Sequence, residues 1–161
     1  MMAKIQFKGI NEYARAMQRV YVRSNDIIGQ AIYEGAAVIA DGVKDELRKL
    51  PVDESYGSPE KKADGVTKRQ KADLIDGFGI SSMRDDKGYL NVKLGFDGYG
   101  RTKTKKYPKG VPNQLIARSV NTGTSFRKRN PFMDRAVRAK RKLAEKKMME
   151  TMDEGMKKEM K

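Results

Sequence analysis

The chain contains no cysteine and no histidine. Without cysteine it can form neither a disulfide nor a thiolate metal site. Without histidine it lacks the commonest general base and the commonest metal ligand. A Ser-His-Asp or Cys-His nucleophile therefore cannot be assembled from its 161 residues. No apolar run approaches the ~20 residues needed to span a bilayer. The opening MMAKIQFKG lacks the apolar core of a signal peptide. The expectation is a soluble protein that works in a cytoplasm or in a particle assembled there.

Acids are missing from one long stretch. Between Arg101 and Lys142 there are fourteen Lys/Arg and a single acid, Asp134, out of a chain total of +14. That segment is net +13 (14 − 1), and the remainder is close to neutral. Such asymmetry concentrates a positive field suited to DNA, RNA or an acidic protein surface; its plainer reading is a solvated face with a mobile basic loop. The hydrophobic fraction of 38% against 35% charged residues implies one modest core with long solvated extensions.

The apolar spacing suggests an α+β single domain spanning 1–161. Ala3–Lys8 reads as a short edge strand. Asn11 offers a helix cap, with Tyr13, Ala14, Met17, Val20 and Tyr21 at helical spacing. Ser24 offers a cap for the next helix, with Asp26 in its first turn. In that second helix Ile28, Ile32, Ile39, Val43, Leu47 and Leu50 form one stripe, and Pro51 closes it. Gly35 and Gly42 cost a helix up to ~1 kcal/mol each relative to alanine, so they point to close packing against a sheet or helix.

Residues 52–70 carry turn formers and charge and read as a long loop, functional or mobile. Two strands follow, Gly77–Arg84 and Tyr89–Phe96, joined by a turn at Asp85-Asp86-Lys87-Gly88. This gives a small antiparallel hairpin at about 77–96, on which the long N-terminal helix should pack. Residues 97–113 form a second, basic and Gly/Pro-rich mobile loop. Leu115, Ile116 and Val120 mark a short helix, with a strand as the alternative. Asn130 then caps a long C-terminal helix, 131–160, with Pro131 at its first position. Met133, Val137, Ala144, Met148, Met152 and Met156 trace its apolar stripe. The methionine-only end of that stripe suggests turns that gain order against a partner.

No constellation points to catalysis. Glu60-Lys61-Lys62 and Asp85-Asp86-Lys87 could in principle hold Mg²⁺, but solvated charge explains them. Gly95, Gly98 and Gly100 form no phosphate fingerprint, because no helix follows directly. The basic run Arg101, Lys103, Lys105, Lys106 and Lys109 suits phosphate contacts without base readout. A second basic group, Arg127-Lys128-Arg129, stands before the last helix, exposed by position and with no neighbouring acid until Asp134. These eight residues are the candidate partner- or DNA-contacting set. No metal, cofactor or catalytic residue is expected.

The order of features resembles a known family. It comprises AIYEGAAVIADGVKDELRKLP, then ADLIDGFGISS, LNVKLGF and LIARSVNTGTSFRKRNPFMDRA leading into a terminal helix. This is similar to the gene-product-ten-like family of small tail-completion and head–tail joining proteins of lambdoid HK-type tailed phages, over about residues 5–150. The most specific match is Gly123-Thr124, a spacer, and Pro131-Phe132-Met133-Asp134-Arg135-Ala136; Leu74 before the first hairpin strand is a second. The family commonly has an acid before the Gly-Thr, where this chain has Asn121 and Thr122, and a Ser at the first strand, where it has Gly77. The resemblance implies a non-enzymatic subunit of a virion neck. It would be made in a host cytoplasm and would form a homo-oligomeric ring, a hexamer, that contacts connector and tail-tube proteins. The alternative is a sequence-independent nucleic-acid-binding protein, and an enzyme comes third.

Overall fold

The computed structural model describes residues 10–161, with side chains from Glu12 onward. The expected strand Ala3–Lys8 lies outside the described residues. The elements run α1 (Ile10–Arg48), α2 (Lys68–Gly77), β1 (Phe78–Ile80), β2 (Arg84–Asp86), β3 (Tyr89–Asn91), β4 (Leu94–Phe96), α3 (Asn113–Thr122) and α4 (Phe132–Met160). The architecture is α+β, with long first and last helices and small antiparallel ladders between them.

The two N-terminal helices expected from sequence are one. α1 is 39 residues long, about 58 Å at 1.5 Å per residue. It is already helical at Ile10, before the Asn11 cap. Ser24 caps nothing; its hydroxyl donates to the Tyr21 carbonyl 2.8 Å away, inside the helix. That back-bond satisfies the hydroxyl without breaking the turn. Asp26 pairs with Arg23 at 3.2 Å, an i,i+3 surface pair rather than a first-turn acid.

α1 uses two faces. Ala40, Val43 and Leu47, with Leu50 just past the helix end, enter the main core with Val66, Leu74, Phe78, Ile116, Val120, Phe132 and Ala136. Towards the N-terminus a different face turns to α4. Ala16, Val20, Ser24, Ile27, Ala31, Gly35, Val38 and Gly42 are its less exposed positions, spaced 4-4-3-4-4-3-4. An 11-residue repeat of about 3.7 residues per turn follows the 3.6-residue helix more closely than a heptad does. Ile28, assigned to the apolar stripe from sequence, is exposed instead.

α4 runs back along this face. Positions on the two helices interlock: a Cβ on Gly35 would fall 2.5 Å from Met148 Cγ, and one on Gly42 would fall 2.7 Å from Lys140 Cγ. At the far end Arg19 donates from Nε to the Glu159 carbonyl, 3.0 Å, and from a terminal nitrogen to the Lys161 carbonyl, 3.1 Å. Those last carbonyls have no partner within their own helix, so the guanidinium serves as a C-cap from the other helix. One side of the methionine end of α4 thus lies against α1. Its facing line is Ala136, Lys140, Ala144, Met148, Thr151 and Gly155, while Val137 and Met156 from the expected stripe are exposed.

The hairpin is bulged. Phe78 pairs with Phe96, Gly79 with Gly95 and Ile80 with Leu94. Further out, Arg84 pairs with Asn91, Asp85 with Leu90 and Asp86 with Tyr89. Three residues, Ser81–Met83, therefore oppose two, Val92 and Lys93, and the register shifts by one. This breaks the continuous pairing expected of two uninterrupted strands, Gly77–Arg84 and Tyr89–Phe96. The turn centres on Lys87 and Gly88, both with positive φ (55° and 91°), as a type I′ turn requires. Asp85 Oδ1 accepts the Gly88 amide at 2.7 Å.

Residues 52–67 are irregular but bonded along their length. Val52 bridges Val66, and Ala63 bridges Arg127. Asp53 anchors the segment: its carboxylate accepts the amides of Ser55 and Asp64, each at 2.9 Å. Hydrogen bonds from the Ser55 side chain and then from the Asp64 and Ser55 amides hold its pKa at about 2, below the ordinary 3.8. A depressed carboxylate stabilises the fold above its unfolded pKa and loses that contribution as pH falls through its folded pKa. Asp53→Asn is therefore expected to be less stable than the parent at pH 7. The gap should close between pH 3.8 and about 2, read by urea denaturation across that range.

Candidate functional site

The last residues of the 52–70 segment, together with those that follow, form a helix that sequence reading missed. Thr67-Lys68-Arg69-Gln70 is a capping box: the Thr67 side chain accepts the Gln70 amide and the Gln70 side chain accepts the Thr67 amide, both at 3.1 Å. Glu54 accepts the next free amide, Lys68, at 2.9 Å. The box was readable as T-x-x-Q. It carries α2 to Gly77, so Gly77 ends a helix and the first strand begins at Phe78.

α2 places Asp73 where it can hold the basic loop. Asp73 is 9% exposed; it accepts the Arg101 amide on Oδ2 and Arg101 Nε on Oδ1, both at 2.8 Å. From that anchor residues 97–112 form a finger. Gly100 donates to Val111 and Val111 to Thr102, both at 2.8 Å, while Thr104 and Tyr107 exchange amide bonds at 3.1 Å. Lys105 and Lys106 stand at its tip, with Lys106 Nζ 5.6 Å from the Tyr107 ring centre. Lys103 and Lys109 are exposed along it.

The second basic group divides three ways, which corrects the expectation of a uniformly exposed triplet. Arg127 is turned inward. Its guanidinium donates to the Ser119 hydroxyl and, at 3.3 Å, to Gln70 Oε1. Burial alone pushes its pKa below the ordinary arginine range, with no carboxylate offsetting the effect; it remains a cation at neutral pH. Lys128 pairs with Asp64 at 2.5 Å, an acid far away in sequence, and that bond and charge raise its pKa. Arg129 is exposed.

Arg127 forms the inner wall of an open cleft of about 1030 Å³ between α2, α3 and the finger. Arg69, Arg101 and Lys103 also line it, and Glu54 is the one acid in its wall. Two polar atoms of the cleft residues, Arg127 Nε and Thr102 Oγ1, are buried without a hydrogen-bond partner among the described residues. The structure thus brings Arg101, Lys103 and Arg127 together. It leaves Lys105, Lys106 and Lys109 on the finger, and Lys128 and Arg129 outside. A second groove, about 720 Å³, lies between β1/β4 and α3; its charges, Lys93, Asp97 and Arg118, are isolated and of mixed sign.

The motif residues are structural. Leu74 and Phe132 are fully buried and Ala136 nearly so. Gly123 ends α3 with φ 77° and ψ 160°, a region open essentially to glycine alone. Thr124 Oγ1 accepts the Phe126 and Arg127 amides, at 3.2 and 3.1 Å, and so shapes the turn that aims Arg127 inward. Neither the Asn130 nor the Pro131 side chain caps the last helix. Asn121 does so from α3, accepting the Met133 amide at 3.2 Å. An acid near this place would serve the same helix start with added charge.

Among the described residues no group of three or more Asp and Glu could hold a metal ion, and no helix is long and apolar enough to cross a membrane. The fold and site define an α+β protein with a two-helix arm at one end and a cationic cleft at the other. No family model, curated protein or solved structure matches the chain.

Proposed function

We propose that the chain is a structural assembly protein of a tailed-phage or prophage neck, a non-enzymatic subunit that joins head connector to tail tube in a homo-oligomeric ring. The observation that carries this reading is the arm. Tyr13, Met17, Tyr21 and Ile28 are exposed and fall within about 80° of one another around α1, at 100° per residue. Met149 and Met156 are exposed on α4. A monomer gains nothing from such a stripe, whereas a neighbouring subunit would bury it. The Gly-Thr…Pro-Phe match supports the same reading, because its residues form the node where α3, the hairpin and α4 meet. Light scattering on the full chain tests this: the wild type should run as an oligomer, and Tyr21→Lys with Ile28→Lys should release an 18.2 kDa monomer. A monomeric wild type at every concentration would count against the arm as a subunit contact.

A second reading, sequence-independent nucleic-acid binding, is favoured by the finger and its lysine tip. Affinity for duplex DNA should fall steeply with salt. Charge reversal at Lys103, Lys105 and Lys106 should lower the slope of log K against log salt by about 0.9 for each phosphate no longer neutralised. An unchanged slope would remove the finger from that role.

A further inference from the structure

We infer that the cleft walled by Arg69, Arg101, Lys103 and Arg127 is a phosphate-recognition site with Arg127 as its anchor. This deepens the nucleic-acid reading but does not depend on the ring. Among the described residues every partner of the Arg127 guanidinium is neutral: a serine hydroxyl and a glutamine amide. A half-buried cation without a counter-charge is costly to hold, and an anion in the cleft would offset that cost. Its Nε is buried and unpaired, as is Thr102 Oγ1 in the same cleft. Asp73 neutralises Arg101, and Glu54 is occupied by the α2 amide. Counting Asp73 behind the wall, four cations meet two acids, which leaves an excess of two positive charges.

That excess and the forked guanidinium donors match a phosphate group better than a single carboxylate. The phosphate could belong to a nucleic-acid backbone or to a free phosphate compound. An acidic peptide is the competing class, and the excess of two positive charges in one cleft favours a phosphate over a single carboxylate.

Calorimetric titration of the full chain with inorganic pyrophosphate, with a short duplex DNA and with a polyglutamate peptide would test the inference. Arg127→Gln and Lys103→Glu should each weaken phosphate binding about tenfold or more. Lys142→Glu, exposed on α4 outside the cleft, should not. If Arg127→Gln fails to fold, Lys103→Glu decides, since its side chain is exposed. Duplex binding weakened by Lys103→Glu identifies a backbone as the source, and pyrophosphate binding alone identifies a free compound; either supports the site. Absence of phosphate binding overturns it, as does equal loss in Lys103→Glu and Lys142→Glu, or tighter binding of polyglutamate. A ring that forms normally while phosphate is ignored would overturn this inference and leave the assembly role standing.

Discussion

Phe132→Ala is expected to destabilise the fold by about 3–5 kcal/mol, the usual cost of deleting a buried phenyl ring and leaving its cavity. Phe132 is fully buried and lies edge-on to Phe96 at 6.2 Å, which in turn packs on Phe78 at 5.2 Å. The three rings tie the base of the hairpin to the first turn of α4. On α4 the ring sits one residue before the amide that Asn121 caps, so losing it loosens α3 as well. Phe132→Leu should cost much less, because volume and apolarity are largely kept. Urea denaturation of both variants measures the difference. A loss under ~1 kcal/mol for the alanine variant would mean that the ring does not hold this junction together.

Gly65→Ala should be nearly as damaging, about 3 kcal/mol, at the upper end of overpacking costs. A Cβ there would fall 1.8 Å from the Pro51 carbonyl oxygen. Backbone cannot swing aside as a flexible side chain can. The same carbonyl accepts the Val66 amide at 3.1 Å, and the Val66 carbonyl accepts the Asp53 amide at 2.8 Å, so the clash would pry apart the whole bridge. Gly79 and Gly95 are the controls. A Cβ on either meets nothing within 4 Å, and alanine there should be close to neutral in the same assay. Equal losses at all three positions would show that glycine flexibility, not close approach, matters at residue 65.

What sequence could show followed from repeating physical patterns. The long helices, the hairpin turn at Lys87-Gly88 and the short helix around Ile116 all rest on periodicity or turn chemistry that side chains declare locally. The helix boundary at Ser24 failed because a serine that back-bonds within a helix looks identical to one that caps it. The arm was legible in part: Gly35 and Gly42 pointed to close packing and do meet α4 at Met148 and Lys140, but which element they meet, and how far the contact runs toward Ala16, small residues do not declare in a hydrophobic pattern. The strap 52–67 reads as unstructured because polar side chains and main-chain bridges order it, and apolar periodicity cannot show those. The site was half legible. A basic run announced Arg101 and Lys103, but its organiser, Asp73, sits 28 residues earlier. The inward turn of Arg127 depends on Thr124, Ser119 and Gln70 meeting in space. Arg69 would have been found had the Thr67–Gln70 capping box been read.

Membership of a virion neck is the central claim, and quantitative mass spectrometry of purified tailed particles tests it most directly. The account predicts that this chain is present at a ring's copy number, a hexamer's worth per particle, and co-purifies with connector and tail-tube proteins. Particles that are complete and joined yet contain none of it would contradict the account.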